Sequence, residues 1–590
     1  VPARLAATGV PLDRLYERNW LQNEIRRAGI ERLGYFAPNP PANALLLVPF
    51  AALGPRAAKA AWTATLALAL VLSFLLLRRA APAGASPWLL ALAFLLQSTS
   101  LANALAFGPA YPLLLAALTG SLVALLAGHG LVAGLLLAPV VALKLYGAPF
   151  VLALALARRW RALLGFALGF AAIALGGVAA LGWPVHEVYL REVMPASLSG
   201  ELLDPYAPSR QSVASVGLRL LQREPELNPS PVADRPGLAR GIVRGVSVLL
   251  LALGVLSCRA GSAGPRLRRE WAALALAALA ASPLTATYHL VLLALPVGLL
   301  VHEAEAQDSV RRALVPLALL AFASSFLPLA FGRFAAGWTN LAACPRLIAL
   351  LALLAWALRG LLSPSRAALA LAAGAAAGAL ALDAPREEPW QRIESARGFV
   401  QSEPALCGER LAWVTTSGER LVIQDSGGRT LSGAGDAFTP RCEGGELRFT
   451  SSSTPGSTAD PTLAADQDRS RDGRLAVLVP RGEALLLERD EATGRPRMLA
   501  KGSIRRPRLS PDERWVAFQE WRAATGSWDV VALERASGQR VVVASGPSNE
   551  VEPSWSPDGE QLVFSSDRRR GLGFDAIYSV PFRRPTSDTR

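Results

Sequence analysis

The chain has 590 residues, 60 basic and 46 acidic, for a net charge of +14, and 52% of it is hydrophobic. Most arginine clusters lie between hydrophobic blocks, where positive-inside sorting puts them, so the charge does not imply a nucleic-acid partner. The four cysteines, Cys258, Cys344, Cys407 and Cys442, show no metal-ligand spacing, and neither a metal nor a cofactor is expected.

Residues 1–42 read as an outer loop. From about 43 to 382 the chain runs in Ala/Leu/Val/Gly blocks of membrane-spanning size. The first block is interrupted by proline and reads as a short re-entrant piece before a span. The 130–157 region is broken by Pro139, Gly147 and Pro149, and irregular backbone at that depth needs cover from protein or water. Arg78-Arg79, Arg158-Arg159-Arg161, Arg259 with Arg266, Arg268 and Arg269, Arg311-Arg312, and Arg359 with Arg366 fall on one side if 130–157 and 271–301 are each two short helices. That side is then cytoplasmic. Residues 1–42, 183–240, 332–344 and everything after 383 lie outside. The expectation is a multi-pass protein of a bacterial inner or plasma membrane with an extracytoplasmic C-terminal domain.

One residue stands out in the membrane half. The chain holds three lysines, Lys59, Lys144 and Lys501, and Lys144 interrupts an apolar run. An ammonium at the bilayer centre costs roughly 2.5–3.5 kcal/mol, so it must snorkel to the interface or meet an anion near water. Pro139 and Gly147 on either side predict the outer end of a short helix, beside a cavity.

Residues 383–398 read as a linker and 399–590 as an all-β domain of about five blades. The segments EPALCGERLAW (403–413), TPRCEGGELRF (439–449), RPRLSPDERWVAF (506–518) and EPSWSPDGEQLVF (552–564) share a proline, a turn and an alternating strand, with a weak copy at 471–479. A period near 40 built of short strands signals a β-propeller. Residues 553–580 resemble TolB-type propeller repeats. The domain reads as a rigid scaffold or packing lid, or as a face for a protein or glycan ligand. It contains no His/Asp/Ser set for catalysis. Cys407 and Cys442 sit near the same turn of successive repeats, within disulfide reach if the blades are adjacent.

Five ordered stretches in the membrane half are too polar for plain anchors: YFAPNPPANALLLVPFAAL (35–53), NALAFGPAY (103–111), ALKLYGAPF (142–150), SRQSVASVGLRLL (209–221) and ASPLTATYHLVLLALP (281–296). As an ordered set they resemble glycosyltransferase family 87, polytopic enzymes of the GT-C class. Gly108-Pro109 stands where the family often has Gly-Gln, Arg210 replaces an Asn before Gln211-Ser212, and His289 alone follows Ser282-Pro283. The family's acidic residue follows its first span. ARLAATGVPLDRLY (3–16) looks like the loop downstream of it, so the resemblance implies that the first span and this acid precede Val1.

The resemblance, which covers residues 1 to about 360, implies a polytopic α-helical, GT-C-like membrane domain, and the repeats add an all-β propeller after it. It implies transfer of a mannose-like or arabinose-like sugar from a polyprenyl-phosphate donor to a lipid or polysaccharide acceptor, with inversion, on the extracytoplasmic side. Such transfer needs a carboxylate for the acceptor proton and donors at the departing phosphate. Lys144, Arg210 and His289 are the candidates for the phosphate. Tyr146, Gln211, Ser212 and Tyr288 are candidates for substrate, and Asp13 is the nearest base within the chain. Simpler roles stand beside these: an interfacial Lys144 or His289, an anchoring Tyr288, a helix cap for Gln211-Ser212, a loop or cap residue for Asp13. Glu187, Glu192, Glu201 and Asp204 read as solvated charges. The alternatives are a membrane anchor displaying a propeller, or a transporter, although the membrane half shows no internal repeat.

Overall fold

The computed structural model describes residues 1–584 except 11, 37–38, 83–84, 201–203, 307–309, 383–389, 399, 434, 444, 453–465 and 481–483. Glu201 and much of the expected linker lie outside the described residues.

The first two-thirds of the chain is helical. Pro55–Ala80, Trp160–Leu181, Pro236–Ser257 and Thr287–Ala306 are each long and apolar enough to cross a membrane. Two bent pairs pass the same test together, Pro87–Leu96 with Ser98–Phe107 and Arg312–Ser324 with Leu327–Phe334. Shorter apolar helices fill the space between them. Proline recurs in the first turn of these helices, at Pro55, Pro87, Pro112, Pro236 and Pro345, where its missing N–H costs nothing. Packing is close enough to require glycine. A Cβ on Gly134 would lie 1.8 Å from the Ala162 carbonyl, and one on Gly165 2.1 Å from that of Leu131.

The arginine-bearing turns gather on one face of the bundle. Arg159 donates to the Ser262 carbonyl and Arg268 to that of Ala80. Arg366 reaches the Leu256 and Cys258 carbonyls at 2.8 and 2.9 Å, and Arg269 that of Ala357 at 3.1 Å. Helix ends and turns separated by 88 to 188 residues are thus tied, largely through carbonyls the helices leave unpaired.

The opposite face carries the propeller, five small antiparallel sheets among the described residues. Their first strands are Ser402–Cys407, Asp436–Glu443, Gln467–Arg469, Ile504–Leu509 and Glu550–Trp555. Side chains join each sheet to the next. Thr439 N–H donates to Glu403 Oε2 at 2.6 Å, Arg441 to the Gln467 carbonyl at 2.7 Å, Arg506 N–H to Asp466 at 3.1 Å, and Glu552 N–H to Gln519 at 3.0 Å. Glu403 N–H then donates to Glu552 Oε2 at 2.6 Å, which returns the fifth sheet to the first. The segment expected as a linker is partly strand, because Gln391–Arg392 pairs with Ala576–Pro581 and adds a fourth strand to the last sheet. The Cys407–Cys442 disulfide joins the first and second sheets.

The repeated proline has a structural cause. In four first strands the residue before it, Glu403, Thr439, Arg506 or Glu552, has a φ between 49° and 59°. The strand register shifts there each time. Proline cannot donate to the ladder, so a bulge forms and re-aims the preceding side chain. These side chains meet: Arg506 lies 2.7 Å from Glu403 and 3.9 Å from Glu552.

Outer loops clasp the propeller. From the first loop, Arg14 pairs with Asp466, Glu17 with Arg505, and Arg26 with Asp436 at 2.6 Å. From the 183–235 loop, Glu224 pairs with Arg392, Glu226 with Arg570 at 2.9 Å, and Arg191 lies 4.3 Å above the Trp521 ring. The propeller face turned toward the helices is therefore occupied by this chain's own loops.

Candidate active site

A cavity of about 2060 Å³ lies between the helical bundle and the propeller, and Pro547 and Phe574 of the propeller contribute to its lining. Lys144 lines it. The helix Gly130–Leu143 ends at Lys144, whose extended backbone (φ −157°) separates it from the next helical turn. Two asparagines from the 35–53 stretch stabilise that break. Asn43 donates to the Leu143 carbonyl at 3.1 Å, and Asn39 Oδ1 accepts from Lys144 Nζ at 3.0 Å. A neutral amide orients the ammonium without neutralising it, so its charge remains for a ligand.

Beside Lys144 stands an aromatic group. Tyr111 lies 4.6 Å from His289, 5.7 Å from Tyr288 and 5.9 Å from Tyr146, centroid to centroid. Ser282 gives its hydroxyl proton to the Leu284 carbonyl at 2.8 Å, so at the 2.8 Å contact between them Tyr146 is the donor. His289 Nδ1 accepts from Ala286 N–H at 3.2 Å, which puts the ring proton on Nε2. Lys144 and Arg210 both act electrostatically on His289.

The third part is an acid–base pair on the outer loop. Arg210 and Asp204 both line the cavity. Burial pulls the Arg210 guanidinium below its ordinary range, against the pull of Asp204. Burial likewise raises the Asp204 carboxyl, although the Tyr206 N–H (2.9 Å) and Arg210 oppose it.

The structure thus gathers Lys144, Tyr146, Arg210, Tyr288 and His289 around one cavity. It sets three candidates elsewhere. Gln211 is fully buried behind the wall, its amide donating to the Pro328 carbonyl and accepting from Arg346 N–H, both at 2.8 Å. Ser212 accepts from Ser215 N–H at 3.1 Å and donates to the Pro283 carbonyl at 2.7 Å, so it caps the next helix and ties it to the Ser-Pro turn. Asp13 is not among the lining residues; it precedes Arg14, which pairs with the propeller. The solvated reading holds for Glu187, whose side chain is 43% exposed, but needs correction for Asp204 and Glu192. Asp204 is 9% exposed and is the one carboxylate among the described lining residues. Glu192 turns to Arg505 and Trp528 of the propeller, and Glu187 pairs with Arg191 at 2.7 Å. Asn39 and Tyr111 were legible only as parts of quoted stretches, since neither residue type carries charge to mark it.

Residues 36–296 match the model of glycosyltransferase family 87. A multi-pass helical region with a roofed cavity, matched in part by that family, has the build of a membrane glycosyltransferase. Among solved structures the chain is similar to TolB from Acinetobacter baumannii (17% identity, TM-score 0.18, covering 33% of this chain and 45% of that one). It is similar also to a putative TolB from Agrobacterium tumefaciens (16%, TM-score 0.18, covering 35% and 72%). The chain thus spans less than half the length of the Acinetobacter protein.

Proposed function

We propose that the chain transfers one sugar from a polyprenyl-phosphate donor to a lipid or polysaccharide acceptor, inside the roofed cavity and on the extracytoplasmic side. The observation that carries this reading is Lys144, an ammonium at a helix break, held by a neutral asparagine and lining a cavity walled by Tyr111, Tyr146, Tyr288 and His289. In the reaction the acceptor oxygen attacks the anomeric carbon. The bond from that carbon to the phosphate oxygen breaks, its electron pair leaves with the lipid phosphate, and the configuration inverts. Lys144 and Arg210 meet the charge growing on the departing oxygen. The acceptor hydroxyl proton passes to a carboxylate, and Asp204 is the one the described lining presents. The aromatic rings offer apolar faces to a pyranose or furanose ring.

Arginine-rich turns on the face away from the propeller, and a disulfide within it, support an extracytoplasmic placement. The test is transfer in nanodiscs by the full-length protein, using labelled polyprenyl-phosphate mannose and arabinose with a mixed lipid and glycan acceptor pool. Labelled product is expected with one donor. Absence of product with either, while the protein remains folded, would favour the anchor reading.

A further inference from the structure

Behind the cavity wall lies a buried arginine that no step of the proposed transfer uses. Arg346 is 2% exposed, sits in the first turn of the helix Pro345–Leu358, and falls outside residues 36–296 matched to the family. Its Nε donates to the Ala323 carbonyl and its Nη2 to that of Ser325, both at 2.9 Å. Nη2 also reaches Thr287 Oγ1 at 3.1 Å. These partners are neutral. A guanidinium withdrawn from water onto neutral groups is costly, so stability alone is a poor account of it.

Two of the contacts have an ordinary explanation. Ala323 and Ser325 lie where the helix ending at Ser324 bends by 63° into Leu327–Phe334, and carbonyls at a helix end need donors from elsewhere. The contact to Thr287 has no such cause. Thr287 opens the short helix Thr287–Leu293, which brings Tyr288 and His289 to the cavity wall. This is a 3-10 helix, whose hydrogen bonds are poorly aligned, and Ala286 before it has no side-chain group to cap it. The His289 ring takes that part, since its Nδ1 accepts the Ala286 N–H at 3.2 Å. The orientation of the ring therefore depends on the turn that Arg346 holds at Thr287.

The backbone of Arg346 steadies a second part of the wall. Its N–H donates to Gln211 Oε1 at 2.8 Å, and the Gln211 N–H donates to Thr285 Oγ1 at 3.2 Å. With Gln211 anchored behind the wall, its neighbour Arg210 is the residue presented to the cavity.

We infer that Arg346 is a positioning residue for the transfer. It is not among the residues lining the cavity. Its guanidinium holds Thr287, and through that turn Tyr288 and His289, while its N–H fixes the loop that carries Arg210. Its effect on rate rests on the proposed transfer; the tie from Arg346 to His289 does not. Displacing a positioned group by about 1 Å can cost about a hundredfold in rate.

The test uses the full-length protein in nanodiscs, with Arg346→Met, Thr287→Val and the double variant. Each removes the side-chain tie and leaves the Arg346 N–H on Gln211. Turnover per folded molecule is expected to fall at least tenfold in Arg346→Met, with little change in donor KM. The double variant is expected to be no slower than Arg346→Met, because both changes cut one contact. A second measurement is independent of turnover: nitrogen NMR of histidine-labelled protein, with the His289 signals assigned by their loss in His289→Asn. The wild type is expected to show the neutral ring with its proton on Nε2. In either single variant the two ring-nitrogen signals move towards each other as the fixed partner is lost. If Arg346→Met does not fold, Thr287→Val, which leaves the carbonyl contacts, carries both measurements. Unmoved His289 signals, wild-type turnover, or losses that multiply in the double variant would overturn the inference. A wild type that transfers no sugar would refute the proposed transfer instead, and the His289 signals alone would then decide the positioning.

Discussion

Lys144 Nζ sits 3.0 Å from the side-chain oxygen of Asn39, a residue 105 positions earlier in the chain. The amide holds the ammonium at the cavity wall with its charge intact. Methionine there keeps the length and removes the charge. For Lys144→Met the expected outcome is normal insertion and folding with sugar transfer reduced a hundred- to a thousandfold, the scale of losing one charged contact at a transition state, about 2.7–4 kcal/mol. Initial rates with saturating donor measure it. A lysine that merely reaches for the interface would leave the rate unchanged.

Asp204 supplies a pH signature. A carboxylate acting as base must be ionised, so transfer is full above its pKa and falls as pH drops through it. Burial raises that pKa above the ordinary aspartate value of 3.8, which moves the acid limb of the rate profile upward. Asp204→Asn is expected to lower kcat by about a hundredfold or more and to abolish the limb. A limb that persists in the variant would assign the proton to another group.

The clasp between the first loop and the propeller is also titratable. Arg18 donates to the Gly573 carbonyl, and Asp575 lies beside it. Burial, with Asp567 nearby, pushes the Asp575 carboxyl up to about 7. A raised carboxylate pKa means that the folded protein holds a proton the unfolded chain releases. Stability from this group is therefore fully present below about pH 4 and is lost as pH rises through 7. Asp575→Asn is expected to stabilise the protein at pH 8 by roughly 2 kcal/mol, a figure discounted for partial solvent contact, and to change little at pH 4. Thermal melts at the two pH values decide it.

The Cys407–Cys442 bond closes a separation of 35 residues between two blades. Chain-entropy reasoning gives such a loop about 3–4 kcal/mol. Cys407→Ser is expected to lower the propeller's stability by that order, and reductant should do the same to the wild type. Complete alkylation of both thiols in protein isolated without reductant would contradict the bond.

A reporter fused after residue 590 tests the sidedness. A phosphatase-type reporter is expected to be active and a cytoplasmic-type reporter silent. The reverse pair would place the cavity on the other side of the membrane.

The membrane blocks, the helix break near Lys144 and the bladed C-terminal third were legible in the sequence because each is a local pattern. Twenty apolar residues, a lysine just before Gly147 and Pro149, and a repeated Pro-turn-strand unit signal their structure within a few tens of residues, although Pro139, read as a break, lies inside the helix Gly130–Leu143. The disulfide was half legible, since equal positions in successive repeats bring two cysteines near each other only if the blades are neighbours. Asp204, Gln211 and Glu192 were not legible. All three are polar residues of one outer loop. One faces the cavity, one is sealed behind its wall and one turns to the propeller, according to how residues hundreds of positions away pack on them. Burial decides whether a carboxylate is a solvated charge or a base, and burial is a property of the tertiary structure. The sequence alone therefore determined which segments enter the membrane and which form blades. Only the packing of propeller on helices decided which charges line the cavity, because desolvation and charge pairing depend on neighbours in space rather than in the chain.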